Sequence, residues 1–233
     1  MIFAIPNFVN LLLIQKPKHS GMDARKAYST WANQYDSNNN KTRDLEAIAL
    51  RKTLANISFD NVLEVGCGTG KNTGWLIEKA KQVTAIDLSD EMLTKAKEKI
   101  SPDRVQFLQS DIRNEWAFTN QLYDLISFSL VLEHIQNLDH VFNEVYKKLK
   151  PFGYVYIGEL HPFKQYTGTK ARFDTEDGQK IEECFNHHIS EFIQTAKKYK
   201  LTPVDIEEYF DDNDTSEIPR ILTILLQKNG AED

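Results

Sequence analysis

Cysteine is scarce in this chain: 233 residues hold only Cys67 and Cys184. Two cysteines this far apart make neither a disulfide framework nor the paired spacing of a zinc site, which fits a reducing, cytoplasmic setting. No other metal-ligand pattern is present, so no metal is expected. A basic excess is also missing. Lys and Arg number 28 against 34 Asp and Glu, a net charge of −6, which argues against a general nucleic-acid binder. There is no apolar run of about 20 residues, the length that crosses a bilayer. The nearest approach, Ile2 to Ile14, is broken by Pro6, Asn7 and Asn10. It also lacks the positive leader and small-residue cleavage site of a signal peptide. Internal repeats and low-complexity tracts are absent. What remains is ordinary globular composition, 41% hydrophobic and 27% charged, and a length suited to one α/β domain with a sizeable core.

Against that background one stretch stands out. Val62 to Gly70 reads V-L-E-V-G-C-G-T-G, and the next apolar run closes on Asp87. Val62, Leu63 and Val65 suit a buried strand. Gly66, Gly68 and Gly70 then make a turn in which no Cβ obstructs the backbone, so a bound molecule can come close. Asp87, 21 residues after Gly66, falls at the tip of the following strand, where a carboxylate accepts hydrogen bonds from two ribose hydroxyls. Two phosphate-binding alternatives are missing. A dinucleotide site needs G-x-G-x-x-G, but Lys71 occupies the third glycine's place; a P-loop needs G-x-x-x-x-G-K-[ST]. Glu64 at the strand end would repel a pyrophosphate and tolerate a ligand with an amino group.

The rest of the chain alternates strands and helices. Strands are predicted at Asn61–Val65, Gln82–Ile86, Val105–Gln109, Tyr123–Leu130, Tyr154–Leu160, Pro203–Phe210 and Ile221–Lys228. Helical spacing covers 23–33, 42–57 (apolar at Leu45, Ile48, Ala49 and Leu54), 71–80, 89–100 with Ser89 as N-cap, 138–149 and 189–199. Pro151-Phe152-Gly153 reads as a break before the fifth strand. Such alternation implies a parallel sheet with right-handed crossovers. Residues 161–188 have no clear period and read as an insertion or lid. Residues 1–21 read as an apolar extension and linker that caps a groove, contacts a second subunit in a homodimer, or simply precedes a domain spanning 22–233.

The segment Glu64-x-Gly66-x-Gly68-x-Gly70 resembles the first motif of the class I S-adenosylmethionine (SAM) dependent methyltransferases, small-molecule branch. The resemblance runs from about Met22 to Lys228. It implies an α/β, Rossmann-like sheet of seven mostly parallel strands, order 3-2-1-4-5-7-6, with helices on both faces and an antiparallel last strand. It also implies SAM as methyl donor and S-adenosylhomocysteine as product. By the same resemblance Glu64, Gly66, Cys67 and Gly68 hold the methionine part, Asp87 the ribose, and Leu88 and Ile112 pack on adenine. Asp111 accepts from the adenine amino group, and Ser129 and Leu130 flank the methionine group. Tyr28 and Tyr35, in Y-S-T-W-A-N-Q-Y-D, resemble a leader that closes over the cofactor.

The acceptor half is less defined. Val131-Leu132-Glu133-His134-Ile135 resembles methyltransferases of small-metabolite pathways. The Asn-Pro-Pro-aromatic and Asp-Pro-Pro-aromatic motifs of DNA and protein-amide methyltransferases are absent here. Methyl transfer from a sulfonium needs mainly alignment and exclusion of water. A base is required only for a hydroxyl, a protonated amine or a carbon acid. The candidates for such a base are His134, His161 and His188, with Glu159 and His187 nearby in sequence. Arg172 and His187 are candidates for holding the acceptor, and arginine suits an anionic one. The expected activity is methyl transfer to a small molecule, a carboxylate or hydroxyl. The alternative is a SAM-binding regulatory protein without catalysis.

Overall fold

The computed structural model describes residues 40–168, 172–175, 178–181 and 184–230, and no side chain between 169 and 183. The N-terminal extension, Tyr28, Tyr35 and the Arg172 side chain therefore lie outside the described residues.

Helix α1 (Lys41–Thr53) starts at Asn40, whose side chain accepts from the Thr42 and Arg43 N–H groups at 3.0 and 3.1 Å. Its inner face is Glu46, Ala47, Ala49 and Leu50. This corrects the sequence expectation, which turned Ile48 inward: Ile48 is 57% exposed and Glu46 only 2%. A buried glutamate reads as polar in any periodicity, so the helix face was rotated in that reading.

After α1 come β1 (Asn61–Val65), α2 (Thr73–Lys79), β2 (Gln82–Asp87), α3 (Asp90–Lys99), β3 (Val105–Gln109), β4 (Tyr123–Ser129), α4 (Leu138–Lys148) and β5 (Leu149–Leu160). Ser89 caps α3 by accepting from the Met92 N–H. β5 begins earlier than expected. Leu149 pairs with Tyr123, and the register then shifts before Leu125 meets Tyr154. The chain passes through Pro151-Phe152-Gly153 as an irregularity, with Phe152 at φ 62, instead of breaking there.

Beyond β5 lie a short helix α5 (Pro162–Tyr166) and an antiparallel hairpin of β6 (Arg172–Thr175) and β7 (Gly178–Ile181). The segment read as aperiodic thus has local structure. Strands of four residues are too short to display an alternation. Helix α6 (Ile189–Lys198), β8 (Leu201–Tyr209) and β9 (Ile221–Lys228) complete the chain.

The main sheet runs β3-β2-β1-β4-β5-β9-β8, which is 3-2-1-4-5-7-6 when its own strands are counted. β1 to β5 pair in parallel; β9 is antiparallel to both β5 and β8. Both faces are covered, as a parallel sheet requires. On one, Val141, Phe142 and Val145 of α4 and Phe192 of α6 pack on Val65, Ile126 and Phe128. On the other, Leu50, Leu76 and Leu93 of α1, α2 and α3 pack on Val62, Val83 and Leu125. The strand order reverses between β1 and β4, and ligands of open α/β sheets bind at that crevice, outside the strand carboxyl ends.

Candidate active site

β1 ends in the glycine turn, and Gly66, Gly68 and Gly70 all have positive φ (71, 54 and 85°). At Gly66 the need for glycine is twofold. Besides its φ, an added Cβ would lie 2.2 Å from Val131 Cγ2. The turn is strapped to β2: the Gly66 and Cys67 N–H groups donate to the Ile86 carbonyl at 2.8 and 3.0 Å. Asp87 finishes the strap, accepting from the Gly68 N–H at 2.8 Å and the Ser89 N–H at 2.9 Å. Burial pushes the Asp87 carboxyl up, and these N–H groups oppose that.

Two clefts open along the strand ends. The larger, about 770 Å³ and open to solvent, is lined on its floor by Gly66, Gly68, Asp87, Leu88, Asp111 and Ile112, and on its far wall by Ser129, Leu130, Val131, His134 and Ile135. The smaller, about 420 Å³, is lined by Arg43, Glu46, Glu64, Cys67, Thr69, Lys71 and Asn72. Gly66, Gly68, Ser129 and Leu130 border both, so the two are halves of one elongated site. Leu130, at the strand crossing, sits at φ 57, and its N–H donates to the Gly158 carbonyl at 2.8 Å. A side chain in the left-handed region carries strain, a recurrent property of functional positions.

The larger cleft suits a nucleoside. Asp87 presents acceptors at one end, and Leu88 and Ile112 give apolar walls. Asp111 is gripped by the Arg113 guanidinium at 2.7 to 3.1 Å. The smaller cleft suits a zwitterion. Arg43 and Lys71 bring positive charge, with Lys71 ion-paired to Asp44. Glu64 is 5% exposed and accepts from Thr73 Oγ1 at 2.5 Å. Burial pushes Glu64 up to about 8, with the neighbouring Glu46 and Asp87 charges adding to the shift. Glu46, Asn72 and Thr73 were invisible to motif reading. The only sign was an acid on the inner side of a helix, and that requires knowing which side is inner.

The sequence-derived cofactor residues of the described chain, from Glu64 to Leu130, thus border one of the two clefts. The histidines separate. His134 borders the larger cleft, with its Nε2 3.9 Å from a Glu133 carboxylate oxygen. His161 is fully buried and borders neither cleft. Its Nδ1 accepts from the Phe163 N–H at 3.2 Å, and its Nε2 donates to Glu208 at 2.9 Å. This candidate base thus has both ring nitrogens engaged, Nδ1 as the cap of α5 and Nε2 on Glu208 of β8. His187 is buried between the Ile135 carbonyl (2.7 Å) and Glu191 (3.0 Å). His188 is exposed and meets the Tyr166 hydroxyl. Glu159 accepts from the N–H groups of Val131 and Leu132 at 3.0 and 2.8 Å, which shapes the cleft wall. Among the described residues no group of His, Cys, Asp and Glu could hold a metal ion.

A methyltransferase-domain family profile matches residues 63–157. The chain is 30% identical to a malonyl-[acyl-carrier protein] O-methyltransferase of Acetivibrio thermocellus, over 83% of this chain and 86% of that one. It is 28% identical to the enzyme of the same name from Priestia megaterium, over 70% of this chain but 56% of the relative's length. A solved structure from Listeria monocytogenes, assigned as a SAM-dependent methyltransferase, superposes with a TM-score of 0.66 at 26% identity. That superposition covers 79% of this chain and 98% of the other.

Proposed function

The chain belongs to the class I SAM-dependent methyltransferase family, and we propose that it transfers a methyl group from SAM to a small-molecule carboxylate or hydroxyl. The observation that carries this reading is the pair of adjoining clefts: ribose acceptors at Asp87, an acceptor-rich end at Glu64, and shared borders at Gly66, Gly68, Ser129 and Leu130. SAM supplies an activated methyl on a sulfonium, and the thioether leaves without help. The protein's part is then alignment and exclusion of water. Glu64 and the Gly66–Gly68 backbone hold the methionine end, Asp87 holds the ribose, and Leu88 and Ile112 cover the adenine beside Asp111. The reactive methyl would emerge beside Ser129 and Leu130, facing Val131 and His134.

Of the two acceptor classes we favour the carboxylate. Two relatives are named for methylating the malonyl group of an acyl carrier, and a carboxylate needs no base. That agrees with the engagement of both His161 nitrogens. In this reading residues 161–188 act as a lid on the acceptor and Arg172 is its anionic-group contact, while His187, held by Glu191 and the Ile135 carbonyl, braces the cleft wall from behind. His134 is the histidine left to serve a hydroxyl acceptor. Tyr28 and Tyr35 close over the donor. We also propose a reducing, cytoplasmic setting; it rests on Cys67 and Cys184 forming no disulfide and on no described helix being long and apolar enough to cross a membrane. The test is transfer of label from methyl-tritiated SAM to a panel of small acids, malonyl thioesters and hydroxyaromatics. Label in a base-labile ester supports the carboxylate; label only in an ether points to the hydroxyl; none with any acceptor, despite SAM binding, favours a binding protein.

A further inference from the structure

The smaller cleft holds more negative charge than the glycine-turn motif accounts for. Glu46 reaches it from α1, 18 residues before Glu64, and is buried as deeply, at 2% exposure. One of its carboxylate oxygens accepts from Asn72 Nδ2 at 2.9 Å, the other from the Tyr156 hydroxyl at 3.1 Å. Space for that pair is reserved by Gly158 on β5. An added Cβ there would lie 2.5 Å from the Tyr156 hydroxyl and 2.7 Å from Glu46 Oε1. Asn72 spends its amino group on Glu46 and, at 3.3 Å, on Ser129. Its carbonyl Oδ1 is buried and has no partner, in a residue 7% exposed that lines the cleft. An orphaned buried acceptor costs about 1–3 kcal/mol unless something donates to it. Two carboxyls and one orphaned carbonyl oxygen on a cleft wall together call for a donor that carries positive charge and several N–H bonds.

We propose that Glu46 is a second anionic anchor for the α-ammonium of the cofactor's amino-acid end, acting with Glu64 and Asn72 Oδ1, so that the ammonium displaces a proton from this carboxyl pair on binding. The inference rests on the SAM-site reading and adds a residue and a proton to it. The balance is simple. Without ligand, one carboxyl of the pair stays protonated because two buried like charges are costly. When the ammonium arrives, that proton leaves to solvent and the ammonium hydrogens take its place. The groups facing the pair support this. From the turn into α2 come Lys71, Asn72 and Thr73; from β2, Asp87; from β4, Ser129; from β5, Tyr156; from α1, Arg43. Burial pushes Glu46 up, as it does Glu64; hydrogen bonds from Ser129, Asn72 and Tyr156, and then the Lys71 charge, oppose this for Glu46.

The experiment is calorimetric titration of the protein with S-adenosylhomocysteine at pH 7, in two buffers of different ionisation enthalpy. It is repeated with the desamino analogue, in which the α-ammonium is replaced by hydrogen, and with the Glu46→Gln variant. The wild type should release about one proton per S-adenosylhomocysteine and none with the analogue. It should bind the analogue about 10- to 100-fold more weakly. Glu46→Gln should lower proton release and narrow the gap between the two ligands. The wild-type proton count stands even if the variant does not fold. S-adenosylhomocysteine binding with no proton release, and equally tight in Glu46→Gln, would overturn the role of Glu46 and leave the SAM-site reading intact. No binding of S-adenosylhomocysteine at all would overturn both.

Discussion

Two pairs of buried glutamates, Glu46 with Glu64 and Glu133 with Glu159, sit in opposite situations. Glu46 and Glu64 border a cleft together with an unsatisfied Asn72 carbonyl. Glu133 and Glu159 border neither cleft. One oxygen of Glu159 pins the Val131 and Leu132 N–H groups, while its Oε2, like Oε2 of Glu133, has no partner. Burial pushes Glu133 up to about 7 and Glu159 to about 8, the latter raised further by the Glu133 charge. Similar carboxyls thus serve two ends. The pair on the cleft can exchange its proton for a ligand's cation. The enclosed pair borders no cleft that would admit a ligand's cation; His134 lies 3.9 Å from a Glu133 oxygen, and the pair holds the wall against which the acceptor would rest.

The sharpest way to disturb both regions at once is Gly66→Ala. The new methyl strains a positive φ and drives into Val131, whose N–H Glu159 holds. A loss of about 2–4 kcal/mol in unfolding free energy is expected, from left-handed strain plus overpacking, read by urea denaturation. Asp87→Asn acts on the cleft alone. The Gly68 and Ser89 N–H groups bond to different Asp87 oxygens, so asparagine keeps an acceptor for one of them, loses the other bond, and removes the charge facing the ribose. Affinity for S-adenosylhomocysteine should fall about 10- to 100-fold, by calorimetry.

The comparison can also be split by pH. Glu64, Glu133 and Glu159 have folded values near 7 to 8 against an ordinary 4.5. A raised value means that the folded state binds the proton more tightly. The contribution is therefore complete below about 4.5 and is lost as pH rises through 7 to 8. Thermal melts of the ligand-free protein should show Tm falling between about pH 5 and pH 8 from these groups. Saturating S-adenosylhomocysteine should remove the part due to Glu64. Glu159→Gln should remove part of what remains. A slope unchanged by either would break the distinction between the pairs. The smallest effect is expected at the cleft wall. If the acceptor is a carboxylate, His134→Ala should lower kcat less than about threefold, whereas loss of a general base costs about 100-fold or more; steady-state kinetics on the methylated acceptor decides.

Much of the donor side was legible because its chemistry follows backbone rules. The glycine turn, the acid at the tip of β2 and the Ser89 cap each demand particular residue types at particular spacings, and β1, β3 and β9 fell on their expected residues. Glu46, Asn72 and Gly158 were not legible. Their roles arise where α1, the turn into α2 and β5 converge, and no local pattern encodes that meeting. The surroundings of His161 were illegible for a related reason. His161 follows β5 directly, as an acid–base residue would, but its cap on Phe163 and its bond to Glu208 of β8 are tertiary facts. The hairpin of β6 and β7 went unread because four polar-rich residues carry no period.

The central claim is that this site reads a nucleoside and a charged amino-acid end together. Calorimetric titration with S-adenosylhomocysteine, 5′-methylthioadenosine (the nucleoside without the amino-acid end) and NAD tests it directly. The account predicts binding of S-adenosylhomocysteine, at least tenfold weaker binding of 5′-methylthioadenosine, as about 1.4 kcal/mol of lost contacts requires, and none of NAD. Equal affinity for the first two, or tight binding of NAD, would contradict it.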